Sequence, residues 1–159
     1  MTATLDTIDV RILEALQEDA GRSVADIAEI VGLTPSPCWR RIRRLETEGI
    51  IKRRSVQLDR RAIGLMFTAY LEVKIQPARK ANYEKFESAI QSFKEVTEAA
   101  TMTGPYDYLL KVVTPDIDSY NDFMYEKMIP LDVVGDFRTS VQIRNVKEGR
   151  GLPLNHIED

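Results

Sequence analysis

Ten residues, Pro35 to Arg44, hold two prolines and four arginines, within the run TPSPCWRRIRRLE that begins at Thr34. A guanidinium stays charged and presents a planar fork of donors, which suits bidentate contacts with phosphate oxygens and guanine edges. On a helix turning about 100° per residue, Ser36, Trp39, Arg40, Arg43 and Thr47 fall on one side, with Arg44 at its edge. Cys38, Ile42 and Leu45 fall on the other. First-turn residues of such a helix reach base edges and its N-terminus favours a phosphate, so Ser36, Trp39 and Arg40 are expected near bases. Arg43 and Arg44 are expected on phosphates. Arg41 lies nearer the apolar side and is expected to pair with Glu14 or Glu18.

A second constellation is TMTGPYDYLLKV, residues 101–112. Gly104 and Pro105 are turn residues, so the segment reads first as a β-hairpin. Asp107 beside the free backbone of Gly104 adds chemistry: a carboxylate holds an ammonium, and N–H groups hold a carboxylate. That pair of contacts suits a free α-amino acid. Elsewhere the chemistry is sparse. His156 is the only histidine and sits in a polar tail, and Cys38 lies on an apolar face, where packing is expected rather than redox work. The sequence has no Cys/His metal spacing, no P-loop and no GxGxxG. Neither a metal, a cofactor nor an enzyme is expected.

The elements that must position these residues follow from periodicity. Ile8, Ile12 and Leu16 mark a helix over about Asp6–Asp19. A second opens at Ser23, with Asp26 three residues on as in a capping box, and closes at Gly32. In the third, Thr34 is the N-cap, Pro35 takes N1 and Pro37 the first turn, where their missing N–H groups lose nothing. Gly49 ends it, and IIKRRSVQL reads as a short strand or hairpin. Three short helices and a β segment give a winged-type helix-turn-helix. From Met66 the pattern alternates, with Phe67, Ala69, Leu71, Val73 and Ile75 on one face. A helix over Pro77–Phe93 and strands over Val96–Thr103 and Asp107–Thr114 follow. A helix over Asp116–Met128, with Ile117, Tyr120, Met124 and Met128 on one stripe, and a strand over Phe137–Val146 complete the set. The order βαββαβ is ferredoxin-like, and the fold class is α+β.

Charge is distributed to match. The 159-residue chain has a net charge of −3, yet Trp39–Arg61 holds nine basic and three acidic residues. A basic patch on an acidic chain implies a localised polyanion site. The start MTATLDTIDVR lacks the features of a secretory signal, no apolar run is long enough to span a membrane, and one cysteine suits a reducing cytosol.

At these residues the chain resembles the Lrp/AsnC, or feast/famine, family of transcription regulators. The stretch LDTIDVRILEALQEDAGRSVADIAEIVGLTPSPCWRRIRRLETEGII is similar to its helix-turn-helix domain, TGPYDYLLKV to the turn of its ligand-sensing domain, and GLPL to its usual end. The resemblance implies a DNA-binding domain over residues 1–51, a linker strand or hinge over 52–64, and a RAM/ACT-like sensing and oligomerisation domain over 65–159. It implies homodimers that gather into rings, commonly octamers, on palindromic operators, and an amino-acid effector held near Thr103, Gly104, Tyr106 and Asp107. Thr139 and Ser140 are expected to help line that site. The setting expected is cytoplasmic and nucleoid-associated. Two other readings stay open: an architectural DNA-compacting protein without effector, and a regulatory module of an amino-acid enzyme.

Overall fold

Asp6 starts the first helix, α1 (Thr7–Glu18): its carboxylate accepts from the Asp9 N–H at 2.8 Å, and the Asp9 carboxylate accepts from the Asp6 N–H at 3.2 Å. The computed structural model describes residues 4–147, 149 and 151–157, so the outermost residues of the expected domains lie outside it. Ser23 and Asp26 cap α2 (Val24–Val31) with the same reciprocal pair, and Gly32 ends it at a φ of 73°, a left-handed conformation that glycine adopts without penalty. Thr34 is the N-cap of α3 (Pro35–Thr47), although its side chain makes no capping bond. The apolar faces of the three helices meet in one core built on Ile12, Ile27, Cys38 and Leu45, all fully buried.

The segment after this helix, expected as a short strand or hairpin and by the resemblance as a linker strand that pairs across a dimer, forms no strand within the single chain. Residues 52–59 carry no regular structure, and all four strands of the sheet come later in the chain. A strand needs a neighbour to satisfy its N–H and C=O groups, and the single chain pairs nothing with this segment. The unit is therefore a three-helix arrangement without a β wing among the described residues.

The second unit, Leu58–Asn145, is a four-stranded antiparallel sheet with two helices. Its elements are β1 (Phe67–Ile75), α4 (Lys80–Gln91), β2 (Val96–Thr101), β3 (Tyr108–Thr114), α5 (Ile117–Phe123) and β4 (Val134–Val141), in sheet order β2-β3-β1-β4. The strict alternation of β1 sends Ala69, Leu71, Val73 and Ile75 to the helix-covered face, where each is fully buried beside Leu110 and Val112 of β3. Phe86 of α4 fills the space above Tyr108, with ring centroids 4.8 Å apart.

Two expectations shift here. The last strand begins at Val134 and ends at Val141, short of Val146; Val141 lies opposite Ala69, and one further bond follows, from the Gln142 N–H to the Thr68 carbonyl at 2.9 Å. Ile117 is 55% exposed. The buried stripe uses Phe123 instead, and the helix continues from Met124 to Met128 as a π-helical turn that brings Met128 fully under the sheet.

The compact helical unit draws on two stretches of the chain. Among the described residues, those from 146 on belong with the helical unit, as do those up to 57. The Gln17 amide explains part of this: its Nε2 donates to the Leu152 carbonyl at 3.2 Å and its Oε1 accepts from the Leu152 N–H. Leu154 packs on the helical core.

Truncating the fully buried Phe86 to Ala is expected to lower the stability of the sheet unit by about 3–5 kcal/mol. The shift of its urea unfolding transition at constant slope measures it.

Candidate nucleic-acid interface and ligand-binding turn

The rotation of α3 is set by what it buries. Cys38 and Leu45 are fully buried and Ile42 nearly so, which leaves Ser36, Trp39, Arg40 and Arg43 facing solvent. Trp39 is 50% exposed, a large apolar surface to leave on a helix. The Arg43 guanidinium stands 5.6 Å above its ring and also pairs with Glu46 at 3.1 Å. Glu46 in turn accepts from Arg54 at 3.3 Å, so the basic segment after the helix is tied to the same side. Among the described residues Arg40 has no ion-pair partner, and it borders a shallow hollow of about 320 Å³ with Pro37, Arg41 and Arg44.

The other two arginines are engaged within the fold. Arg41 pairs with Asp6 at 2.7 Å and Asp9 at 2.9 Å, not with Glu14 or Glu18. The Asp6 carboxyl is held below its usual range by the Asp9 N–H and by Arg41. Arg44 donates to the other oxygen of Asp9 and lies 4.0 Å from Glu48. Its expected role on a phosphate therefore competes with a bond to a carboxylate that is only 1% exposed.

At the second site, the Met102 N–H donates to the Asp107 carbonyl at 2.8 Å and closes the turn. Thr103 and Gly104 are exposed at its tip, and Gly104 has a φ of 131° that disfavours any side chain. The Asp107 carboxylate is not free. Its Oδ2 accepts from the Ile75 N–H at 2.8 Å and its Oδ1 from Lys74 Nζ at 3.0 Å, which pins the start of β3 to the end of β1. Burial pushes this carboxyl up, but the Ile75 amide and the Lys74 ammonium outweigh it and hold it below the usual range.

Tyr106 donates to Asp136 at 3.3 Å and lies under the Arg138 guanidinium, 5.5 Å from its ring centre. Burial and the Asp136 carboxylate both push the Tyr106 phenol up. Arg138 also pairs with Glu72 across β1. Register makes this cluster: Lys74 faces Asp136, Glu72 faces Arg138 and Tyr70 faces Ser140, all on the face of the sheet away from the helices. Sequence reasoning missed Lys74, Asp136 and Arg138. The alternating polar positions of β1 and β4 carried the signal, but only the pairing register reveals that they meet.

Thr139 and Ser140 part company, because neighbouring strand residues point to opposite faces. Ser140 shares the open face with Arg138. Thr139 lies on the helix side, where its hydroxyl and that of Tyr120 share a hydrogen bond at 2.7 Å. It is separated from the Tyr106 cluster by the thickness of the sheet.

Known proteins match both halves. The family model described as the Lrp/AsnC ligand binding domain covers residues 68–152, and a winged helix-turn-helix DNA-binding model covers residues 5–52. The proline dehydrogenase transcriptional activator of Rhizobium radiobacter is 40% identical over 147 residues, which span 92% of this chain and 94% of that one. The leucine-responsive regulatory protein of Escherichia coli K12 is 34% identical over 150 residues, 94% and 92% of the two chains. A Neisseria meningitidis transcriptional regulator solved in complex with L-Met superposes with a TM-score of 0.94 at 32% identity, over 97% of this chain and 99% of that one. An AsnC family regulator from Agrobacterium tumefaciens gives 0.90 at 36% identity, over 96% and 99%. Among the described residues no helix is long and apolar enough to cross a membrane, and no cluster of three metal-ligating side chains occurs.

Because the Asp107 carboxyl is depressed in the folded chain, its contribution is present above the usual carboxylate value near 3.9 and is lost as pH falls through the folded value. Asp107→Asn is expected to lower stability at neutral pH and to flatten the acid limb below about pH 4. Urea midpoints taken across that range check both.

Proposed function

The chain belongs to the Lrp/AsnC family of transcription regulators, and on that premise we propose that it binds palindromic operators as a homodimer, under the control of an amino acid. The regulator role itself, with a helix-turn-helix unit for DNA and a second unit for a small ligand, is common to the relatives it matches over nearly its whole length. One observation carries the DNA reading: α3 buries Cys38, Ile42 and Leu45, and so turns Ser36, Trp39, Arg40 and Arg43 outward together. Two copies related by a two-fold axis place two such helices in successive major grooves, about 34–36 Å apart. Arg40, without an ion-pair partner among the described residues and on the first turns, reads a base edge. Arg43, braced between Trp39 and Glu46, holds a phosphate.

The open face of the sheet supports assembly. It carries Tyr70, Lys111 and Glu98 beside the Tyr106 cluster, a polar surface broad enough for a second sheet. Dimers gathering into an octamer would hold several operator sites at once, and such multivalency strengthens binding without new contacts. The effector is an α-amino acid at the edge formed by Thr103, Gly104 and Tyr106. The L-Met held by the Neisseria relative supports that class. With Asp107 already engaged by Lys74, Tyr106 at the turn brings the polar groups of Asp136 and Arg138 beside it. The protein works in the cytoplasm on the nucleoid, and no reaction is assigned to it.

Arg40→Ala is expected to cost about 1–3 kcal/mol on the preferred operator and much less on random DNA, read by anisotropy titration of both duplexes. An equal loss on both duplexes overturns the base-reading role. For the effector, the folded chain is screened by thermal shift against the twenty amino acids, since a ligand of the native state raises its apparent stability. One or a few are expected to stabilise it, and Tyr106→Ala to abolish that gain. No stabilisation by any of them points to an effector-independent, architectural protein.

A further inference from the structure

The four arginines of α3 divide into two pairs, and one buried carboxylate makes the division. Asp9 is 1% exposed and sits in the first turn of α1. It already completes the capping box with Asp6, which is all that helix start requires. Yet its Oδ1 also accepts from Arg41 at 2.9 Å and its Oδ2 from Arg44. Asp6 adds a second bond to Arg41 at 2.7 Å. Two guanidiniums, one turn apart, thus face two carboxylates, and their charges cancel. No acidic residue of α1 reaches Arg40 or Arg43 among the described residues. Arg43 instead pairs one turn on in its own helix with Glu46, a half-buried carboxylate that it shares with Arg54.

We propose that Asp9 is a specificity-determining residue: it withholds Arg41 and Arg44 from DNA phosphates, so that binding depends on the outward residues that reach bases. The inference rests on the DNA-binding reading above. Binding without sequence preference scales with the number of phosphates neutralised, and each contact adds about 0.9 to the slope of log affinity against log salt. A helix that released all four arginines would grip any duplex. The same helix with two of them cancelled keeps its positive charge at Arg40 and Arg43. Exposure falls in the same order, since the Arg41 side chain is 29% exposed, that of Arg44 42% and that of Arg43 63%. The weld also fixes the N-terminus of α1 to the middle of α3. A merely structural role would end there, with no effect on the salt slope.

The test uses the full chain and two duplexes: one of random sequence, and one selected by the wild type from a random pool. Asp9→Asn keeps the size of the side chain but removes the charge that holds the guanidiniums. The expected result is a random-duplex affinity raised by about tenfold at low salt, with a slope steeper by about one, and a smaller ratio of selected to random affinity. Adding Arg44→Gln to that variant is expected to return the slope to its wild-type value. A lowered melting temperature with unchanged slope and ratio overturns the proposal. Should Asp9→Asn not fold, Arg41→Gln decides: an unchanged random-duplex slope supports the withholding, and a slope lower by about one overturns it. If the wild type selects no sequence at all, the operator reading fails rather than this one.

Discussion

Burial of Cys38, Ile42 and Leu45 fixes how α3 is rotated, and what this chain offers to a polyanion depends on that rotation. The three positions recur at helical spacing and bury against α1 and α2, whose ends are closed by Asp6, Ser23 and Gly32. A turn of the helix by one residue would bury an arginine and expose a core side chain. Either change costs far more than any surface contact returns. The outward stripe is thus a consequence of packing, and the ion pairs to Asp6 and Asp9 add to it by tying Arg41 and Arg44, and not Arg40 or Arg43, to α1.

In the sheet unit, register plays the part that rotation plays in the helices. The period of two in β1 sends one set of residues under α4 and α5 and the other to the open face. Pairing with β4 then lines up Lys74 with Asp136, Glu72 with Arg138 and Tyr70 with Ser140. A shift of one residue would replace Ser140 by Thr139 and Arg138 by Phe137 on that face. The turn before β3 is locked to the same frame through the Asp107 bonds to Ile75 and Lys74. Its tip, with Thr103 and Gly104, stays exposed on a rigid base, an arrangement suited to a loop that meets a ligand.

The return of the chain to the helical unit after residue 146 joins the two units twice, once before Leu58 and once after Asn145. Nothing in composition marks this. The stretch GLPL, residues 151–154, is anchored by Gln17, 135 residues away from Leu152 in sequence, and by Leu154 on the helical core.

The sequence by itself determined the helices of the first unit, the caps of α2 at Ser23 and Gly32, the arginine-bearing face of α3, the order βαββαβ and the turn at Gly104. All of these are local: they follow from spacing, from turn residues and from which side chains avoid water. Resemblance to the family carried the ligand and the assembly beyond that. Only the tertiary structure decided that Arg41 and Arg44 grip Asp9, that Asp107 is already bonded, that Thr139 and Ser140 face apart, and that residues 52–59 pair with no strand of the chain. Each of these depends on groups distant in sequence being brought within hydrogen-bond range. Periodicity sets which way a side chain points, but strand register and helix packing set what it meets.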